Sequence, residues 1–253
     1  MNSRIAIQKK VYRFLKKRGY VFHMHNLLGL FIFLEENQIK IKEVLDIGAH
    51  TGEWSQYLRA VDSDLSFVLI EPNAIHNDSI TKKGFEVHNE LLSDKVKEVV
   101  FFSSGTTGDS YYPELDEQGK TQPQRKMKTT TLDGFYQNNS DLPAPDLIKL
   151  DVQGAELDVI RGGKRTIERS QIVLLELPVI PYNLGAPSLT ETVNFMLKMN
   201  FIPVFLTESH NIRGVIVQLD LAFMNGELFE KCFGSLETRG YWQTTRSALD
   251  LKS

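Results

Sequence analysis

Acidic side chains interrupt or follow four short apolar segments of the chain. Asp46 lies in VLDIGAH, Glu71 in VLIEPN, Asp151 in IKLDVQG and Glu176 in LLELP. Buried strands of a parallel sheet are normally apolar along their whole length, so carboxylates at their ends need a reason. Ligands bind outside the carboxyl ends of the strands of an open parallel sheet. The four acids therefore predict a ligand site at that edge.

Two glycines separate the first of these segments from a predicted helix. Gly48 and Gly52 bracket the turn GAHTG, and the helix is expected to begin near Glu53. A glycine backbone can approach a ligand without obstruction by a side chain. Glu71, at the end of the next strand, is placed to accept hydrogen bonds from both hydroxyls of an adenosine ribose. The alternative for Glu71 is a solvated acid at a strand end.

The glycine spacing bears on which cofactor this turn would take. Dinucleotide-binding turns carry G-x-G-x-x-G, which fits a pyrophosphate. This chain has Gly48-x-x-x-Gly52, with His50 in place of the middle glycine. S-adenosylmethionine has no phosphate, and its ammonium and sulfonium favour nearby carboxylates. The sequence therefore favours S-adenosylmethionine, with Asp46 and Asp151 as candidate contacts to its charged groups.

The apolar segments alternate with helical patterns from residue 40 onward, which is typical of a mostly parallel sheet covered by helices on both faces. Helices are expected in the first, second, fourth and fifth gaps between the strands, and the fold class is α/β with a seven-stranded sheet. The predicted strands are 43–47, 67–71, 85–89, 146–151, 171–176, 201–206 and 213–220.

Local sequence signals mark the ends of two of these helices. Ser188 and Glu191 form a capping box ahead of a helix that should stop at Asn200. Leucine and isoleucine at i and i+3 predict another helix over 154–161, which the following pair of glycines would end.

The chain is expected to hold one catalytic domain, 41–253, preceded by a helical extension, 1–40. Residues 103–131 lack periodicity and are rich in Gly, Ser, Thr and Pro, so they predict a long loop or insertion that covers the active site. Within the extension, residues 5–18 predict an amphipathic, lysine-rich helix. This helix either makes weak contact with an anionic membrane or a charged acceptor, or packs on the core as a lid with its basic face in solvent.

The composition restricts the class of protein. A net charge of -3 gives no reason to expect a nucleic-acid partner. The single cysteine, Cys232, cannot form an internal disulfide or a cysteine-ligated zinc cluster. No secretory signal is recognisable, and the uncharged run over 19–34 is too short and too polar to cross a bilayer. We therefore expect a cytoplasmic protein, and nothing in the sequence indicates its oligomeric state.

The ordered series of motifs resembles the FkbM-type methyltransferases, which have the Rossmann-like class I methyltransferase fold. The resemblance covers residues 43 to 220. It is carried by VLDIGAHTGEW, FVLIEPNA, LLSD, TTLDGF, LIKLDVQGAELDVIRGG and IVLLELP. Family members commonly carry D-V-E-G-A-E where this chain has DVQGAE, so that the amide of Gln153 replaces an acid.

The resemblance also implies a cofactor and the residues that hold it. The cofactor is S-adenosylmethionine. Asp46, Gly48 and Gly52 would form the loop around its methionine part. Glu71 would hold the ribose, and the region around Leu92 would lie beside the adenine.

Methyl transfer to a hydroxyl also benefits from a base, because a neutral hydroxyl is a poor nucleophile. Asp151, Glu156 and Glu176 are the candidates, ahead of the histidines His50 and His210. The alternatives are an ion pair between Asp151 and a neighbouring lysine, and a stabilising role for Glu156 at the start of its own helix. Their oxygens would suit magnesium, but their spacing does not establish a site, and no metal is predicted.

Three functions remain open from the sequence. The first is O-methylation of a glycan or a similar polyhydroxylated small-molecule acceptor, where the resemblance alone suggests the acceptor. The second is a nicotinamide-dependent oxidoreductase, which His50 in place of a glycine disfavours. The third is a non-catalytic peripheral membrane or scaffold protein that uses the basic N-terminal helix, against which the intact glycine turn and Glu71 argue.

Overall fold

The computed structural model describes residues 3–17, 26–103, 108–115 and 123–234. Its strands are β1 (Glu43–Ile47), β2 (Ser66–Ile70), β3 (Val87–His88), β4 (Leu91–Leu92), β5 (Glu98–Phe102), β6 (Gln124–Thr130), β7 (Leu147–Leu150), β8 (Ile172–Pro178), β9 (Phe201–Ile212) and β10 (Val215–Asn225). Its α-helices are α1 (Ser3–Lys17), α2 (Leu27–Glu36), α3 (Glu53–Val61), α4 (Asn77–Lys82), α5 (Leu132–Asn138), α6 (Glu156–Gly162), α7 (Lys164–Glu168), α8 (Leu189–Lys198) and α9 (Gly226–Phe233).

The main sheet has seven strands in the order β3-β2-β1-β7-β8-β10-β9. Neighbouring strands from β3 to β8 are parallel, whereas β10 is antiparallel to both β8 and β9. The prediction of a mostly parallel, seven-stranded α/β sheet is therefore confirmed. The strand lengths differ from the prediction, because β3 has only two residues while β9 and β10 form a long hairpin.

Alternate side chains of the central strands enter two apolar clusters, one on each face of the sheet. Leu45 joins the cluster beneath α5, α6 and α8, and Val44 joins the cluster beneath α2 and α3. On the second face the apolar series is interrupted by Asp46 and Lys149, which are both buried. This interruption lies next to the carboxyl ends of β1 and β7, where a ligand site is expected.

The helices fill the predicted gaps, and both local end signals have structural counterparts. The Ser188 hydroxyl accepts a hydrogen bond from the Glu191 amide, and the Glu191 carboxylate accepts one from the Ser188 amide. The chain leaves α8 through Asn200, which has a positive φ of 59°. Helix α6 begins at Glu156, two residues later than predicted, because Gly154 adopts a φ of 95° that no helix allows.

The prediction that 103–131 is a loop without regular structure is wrong for its last part. Residues 124–130 form β6, which pairs antiparallel with β5 and parallel with β4 in a small second sheet. Most side chains of β6 are exposed, so its sequence QRKMKTT carries no apolar alternation. Residues 104–107 and 116–122 of the predicted insertion lie outside the described part of the chain.

The N-terminal helices contact the core to different extents. Helix α2 is buried along most of its length within the second apolar cluster. Helix α1 covers the predicted amphipathic segment and buries Ile5, but Ile7 and Val11 are 60% and 51% exposed. Part of the apolar stripe of α1 thus faces solvent instead of packing as a lid. No helix among the described residues has the length and apolar character needed to cross a membrane.

Candidate active site

The turn after β1 is shaped by residues with positive φ. Gly48 and Gly52 both have a φ of 76°, and His50 has one of 46°. At Gly48 the space is also closed, because a Cβ atom there would lie 1.8 Å from the backbone oxygen of Asp151. Only glycine fits this approach of two strand ends. Gly52 is the N-cap residue of α3 and does not line the cavity described below.

Glu71 follows β2 directly and is 5% exposed. Its two carboxylate oxygens accept hydrogen bonds from the backbone amides of His50 and Asn73, each at 2.8 Å. Burial outweighs these bonds and raises the pKa of Glu71 to about 7, with Asp109 and Asp46 adding negative charge nearby. Glu71 is therefore a rigidly held acceptor at the cavity wall, and the alternative of a solvated strand-end acid does not fit its burial.

Asp46 is fully buried and does not line the cavity. Its Oδ2 accepts a hydrogen bond from the Ser55 hydroxyl at 2.6 Å, and its Oδ1 lies 3.3 Å from Lys149 Nζ. Lys149 Nζ also donates to the Gly48 carbonyl at 3.3 Å. Asp46 thus joins β1, β7, α3 and the glycine turn from inside the protein, and its direct contact with the cofactor stays a prediction.

Asp151 follows β7 and lines the cavity. Its Oδ2 lies 3.1 Å from Lys149 Nζ, as one alternative for this residue foresaw. Burial opposes ionisation of Asp151, but the Lys149 ammonium outweighs it and lowers the pKa of the carboxyl group to about 2. The Asp151 carboxylate is consequently ionised at neutral pH while one face of it points to the cavity.

Gln153 joins Asp151 to Glu176. Its Nε2 donates to Asp151 Oδ1 at 2.9 Å and to Glu176 Oε2 at 2.7 Å. The backbone of Gln153 has a positive φ of 52°. Burial and the adjacent Asp151 charge raise the pKa of Glu176 far above its ordinary value. Glu176 therefore holds a proton beside an ionised Asp151, and an amide at position 153 suits this pair because it can donate to both carboxyl groups.

Glu156 has a different environment from the other two candidate catalytic acids. It is 4% exposed and does not line the cavity. Its Oε1 accepts hydrogen bonds from the amides of Val152 and Gly154, at 2.9 and 3.3 Å. Burial raises its pKa to about 7. Glu156 closes the loop that presents Asp151 and Gln153 through contacts that suit a positioning residue, and its role as a base stays a prediction.

One cavity of about 430 Å³ brings most of the predicted site residues together. It lies across the carboxyl ends of β1, β2 and β7, the expected place for a ligand in this fold. The predicted residues that line it are Gly48, His50, Glu71, Leu92, Asp151, Glu176 and His210. Its volume is within the range of small-molecule and cofactor sites, roughly 300–1,000 Å³.

Several residues that line the cavity were missed from the sequence. Tyr182 follows β8, and Gln218 lies opposite His210 on the long β9–β10 hairpin. Residues 109–111 reach the cavity from the predicted insertion, and the Ser110 hydroxyl donates to the Gln153 carbonyl at 2.9 Å. A long insertion in the sequence indicates that some of its residues line the active site. Which residues do so depends on tertiary structure and could not be predicted.

The cavity chemistry fits S-adenosylmethionine. At Gly48 the backbone itself borders the cavity, because no residue with a Cβ atom fits there. Glu71 offers buried carboxylate oxygens for a ribose diol, and Leu92 with Phe101 offers an apolar surface for a base. The carboxylate of Asp151 suits a positively charged group. Among the described residues, no cluster of three or more His, Cys, Asp or Glu side chains is arranged to hold a metal ion.

The FkbM methyltransferase domain model matches residues 46–203 of the chain. No curated protein matches the chain in a sequence search. The chain is similar to solved methyltransferase structures at low identity. The precorrin-6y C5,15-methyltransferase of Geobacter metallireducens is 11% identical, over 77% of this chain and 85% of that chain, with a TM-score of 0.42. The O-methyltransferase TomG of Streptomyces achromogenes is 16% identical, over 78% of each chain, with a TM-score of 0.41.

Proposed function

Because this chain belongs to the FkbM methyltransferase family and is an S-adenosylmethionine-dependent methyltransferase, we propose that it methylates a hydroxyl of a glycan or a related polyhydroxylated acceptor. The family model covers more than half of the chain, so methyl transfer replaces the oxidoreductase and the non-catalytic scaffold as the function. Oxygen as the methylated atom and a glycan-like acceptor are our inferences.

We assign the cofactor contacts from the lining of the cavity. The glycine turn at Gly48 would border the methionine part, and the carboxylate of Glu71 would accept hydrogen bonds from the ribose hydroxyls. Leu92 would pack against the adenine. Asp46 would stabilise the glycine turn from the protein interior through its contacts with Ser55 and Lys149. When bound, S-adenosylmethionine supplies an electrophilic methyl group.

Asp151 is the residue that we propose as the base. The observation that carries this role is a carboxylate at the cavity wall that Lys149 keeps ionised while Gln153 fixes its orientation. An ionised carboxylate within reach of an acceptor hydroxyl can take its proton as the oxygen attacks the methyl carbon. Glu176, which keeps its own proton, holds the same amide and so helps to orient Asp151.

The test is a screen of sugars and polyols for formation of S-adenosylhomocysteine, followed by mass spectrometry of the product. We expect the added methyl group on oxygen and a strong loss of turnover in D151N. Addition of the methyl group to nitrogen or carbon would contradict the proposal, and so would full turnover by D151N.

We also propose that α1 makes weak peripheral contact with anionic membranes. Ile7, Val11 and Phe14 are all more than half exposed on a helix that also carries exposed Lys10. An exposed apolar stripe next to basic residues binds the interface of an anionic bilayer. Cosedimentation with phosphatidylserine vesicles should decrease in I7S/V11S. Equal binding of this variant and the unmodified protein would contradict the proposal.

A further inference from the structure

Residues 109–115, here called the strap, run along the cavity from the end of β5 to the segment that follows β8. Ser110 pairs with Phe102 of β5 through two backbone hydrogen bonds, of 2.7 and 3.0 Å. At the other end of the strap, the Leu115 amide donates to the Tyr182 carbonyl at 2.8 Å. The strap residues that line the cavity are Asp109, Ser110 and Tyr111. The strap therefore forms part of the cavity wall.

Neighbouring residues of the strap form hydrogen bonds with the two sides of the site. On the cofactor side, Asn73 Nδ2 donates to Asp109 Oδ2 at 2.7 Å, and the backbone amide of Asn73 holds Glu71. On the other side, the Ser110 hydroxyl donates to the Gln153 carbonyl at 2.9 Å, and the Gln153 side chain orients the proposed base. The strap thus connects the proposed ribose contact with the proposed base.

Asp158 of α6 holds the strap from outside the cavity. It is 6% exposed and does not line the cavity. Its Oδ2 accepts hydrogen bonds from the hydroxyls of Tyr111 and Tyr112, at 3.1 and 2.9 Å, and its Oδ1 lies 3.4 Å from Arg161 Nη1. Hydrogen bonds to a carboxylate are stronger than those between neutral groups. One buried side chain therefore fixes two consecutive residues of the strap.

We propose that Asp158 is a positioning residue for methyl transfer, which acts through Tyr111 and Tyr112 on both sides of the site. The inference rests on the proposed function for the roles of Glu71 and Asp151. Asp158 touches neither of these residues, so its effect on them passes through the strap.

The order of residues in the strap explains why Asp158 affects both sides together. Asp109 and Ser110 directly precede Tyr111, and planar peptide bonds limit how far neighbouring residues can move independently. Release of the two tyrosines therefore loosens the contacts of Asp109 and Ser110 at the same time. A merely structural role of Asp158 would lower stability without a specific change at the loop before α6 or in cofactor affinity.

Hydrogen exchange and the binding of S-adenosylhomocysteine test this proposal, and neither measurement needs an acceptor. Y111F/Y112F removes two hydroxyls and keeps both aromatic rings. We expect faster amide exchange in 109–115 and also in 151–155, because the strap no longer fixes the loop before α6. The dissociation constant of S-adenosylhomocysteine, measured by calorimetry, should rise about tenfold, because the support of the ribose contact is loosened.

Y136F is the matched control. The Tyr136 hydroxyl is buried and has no hydrogen-bond partner among the described residues, so its removal should leave exchange in 109–115 and 151–155 and the affinity for S-adenosylhomocysteine unchanged.

Two variants of Asp158 give an independent comparison. D158N keeps a side-chain oxygen that accepts the tyrosine hydroxyls, so it should bind S-adenosylhomocysteine nearly as the unmodified protein does, whereas D158A should behave as Y111F/Y112F does. Faster exchange confined to 109–115, with unchanged exchange in 151–155 and unchanged affinity, would overturn the proposal. Absence of S-adenosylhomocysteine binding to the unmodified protein would contradict the proposed function alone, because exchange in 151–155 measures the connection without any ligand.

Discussion

Gly48 is the residue whose replacement has the most direct structural consequence. Its positive φ and the 1.8 Å approach of an added Cβ to the Asp151 carbonyl oxygen act together. We expect G48A to abolish cofactor binding, measured by calorimetry, and to lower the melting temperature. The displaced backbone carries both the glycine turn and the proposed base, so both properties should be affected.

Gly214 supplies the matched control for this prediction. It has a similar φ of 85°, but a Cβ there would meet nothing within 4 Å. G214A should therefore cost only the backbone strain of a left-handed residue, about 1–2 kcal/mol. If G48A and G214A were equally destabilised and both still bound cofactor, the steric argument at Gly48 would be wrong.

Asp151 and Glu176 allow a comparison between two neighbouring acids in different protonation states. D151N removes an ionised carboxylate, so we expect the single-turnover rate to fall by about 10²–10⁴-fold. E176Q replaces a carboxyl group that already keeps its proton, so its rate should fall far less. Similar losses in both variants would show that the proton on Glu176 takes part in the reaction.

The loop between β7 and α6 is the element on which this acid pair depends. Glu156 holds it through the amides of Val152 and Gly154. E156Q keeps an acceptor oxygen and should fold and turn over nearly as the unmodified protein does. E156A leaves two buried donors unpaired and should cost about 1–3 kcal/mol in the free energy of unfolding.

The same pair of variants separates positioning from catalysis. A positioning role predicts that activity follows stability: E156Q should retain activity, and the loss in E156A should come with a lower midpoint in urea. A large fall in kcat for E156Q at an unchanged midpoint would instead return Glu156 to the catalytic role that the sequence suggested.

For the strands and helices, the sequence predicted those elements that have a clear apolar periodicity or a signal at their ends. The strands β1, β2, β7 and β8 are apolar runs, and α8 has a capping box, so their positions follow from local chemistry. Strand β6 is polar and exposed, and its partner β4 has only two residues, so no local pattern identified it.

The site could likewise be predicted only in part. Strand-end residues such as Glu71 and Asp151 could be placed because parallel strands end at one edge of the sheet. Whether an acid faces the cavity could not be derived, since the side-chain contacts of Asp46 and Glu156 turn them inward. The cavity also includes Gln218 of the β9–β10 hairpin, which is far from the glycine turn in the sequence, and no local pattern encodes this contact.

Across the whole molecule, a site rich in buried acids should lower stability in return for function. The pKa of Glu71 is about 7 in the folded protein and 4.5 as an ordinary carboxyl group. Between these values the unfolded chain releases a proton that the folded protein keeps. The contribution of Glu71 to the free energy of unfolding therefore falls as pH rises from about 4.5 to 7 and is constant above that.

Other groups change the stability with pH in the opposite sense. Burial lowers the pKa of His76, for example, so the contribution of His76 to the free energy of unfolding rises with pH. A comparison of E71Q with the unmodified protein cancels these contributions and isolates that of Glu71. In the absence of cofactor, the melting temperature of E71Q minus that of the unmodified protein should increase between pH 5 and pH 8, as measured by calorimetric scans. A difference that stays constant with pH would mean that Glu71 does not titrate in this range.

The E71Q variant should bind S-adenosylmethionine more weakly than the unmodified protein does, because the amide has one acceptor oxygen where the ribose diol would use two. Greater stability of the free protein together with weaker cofactor binding in one variant is the result expected if Glu71 is kept buried for binding.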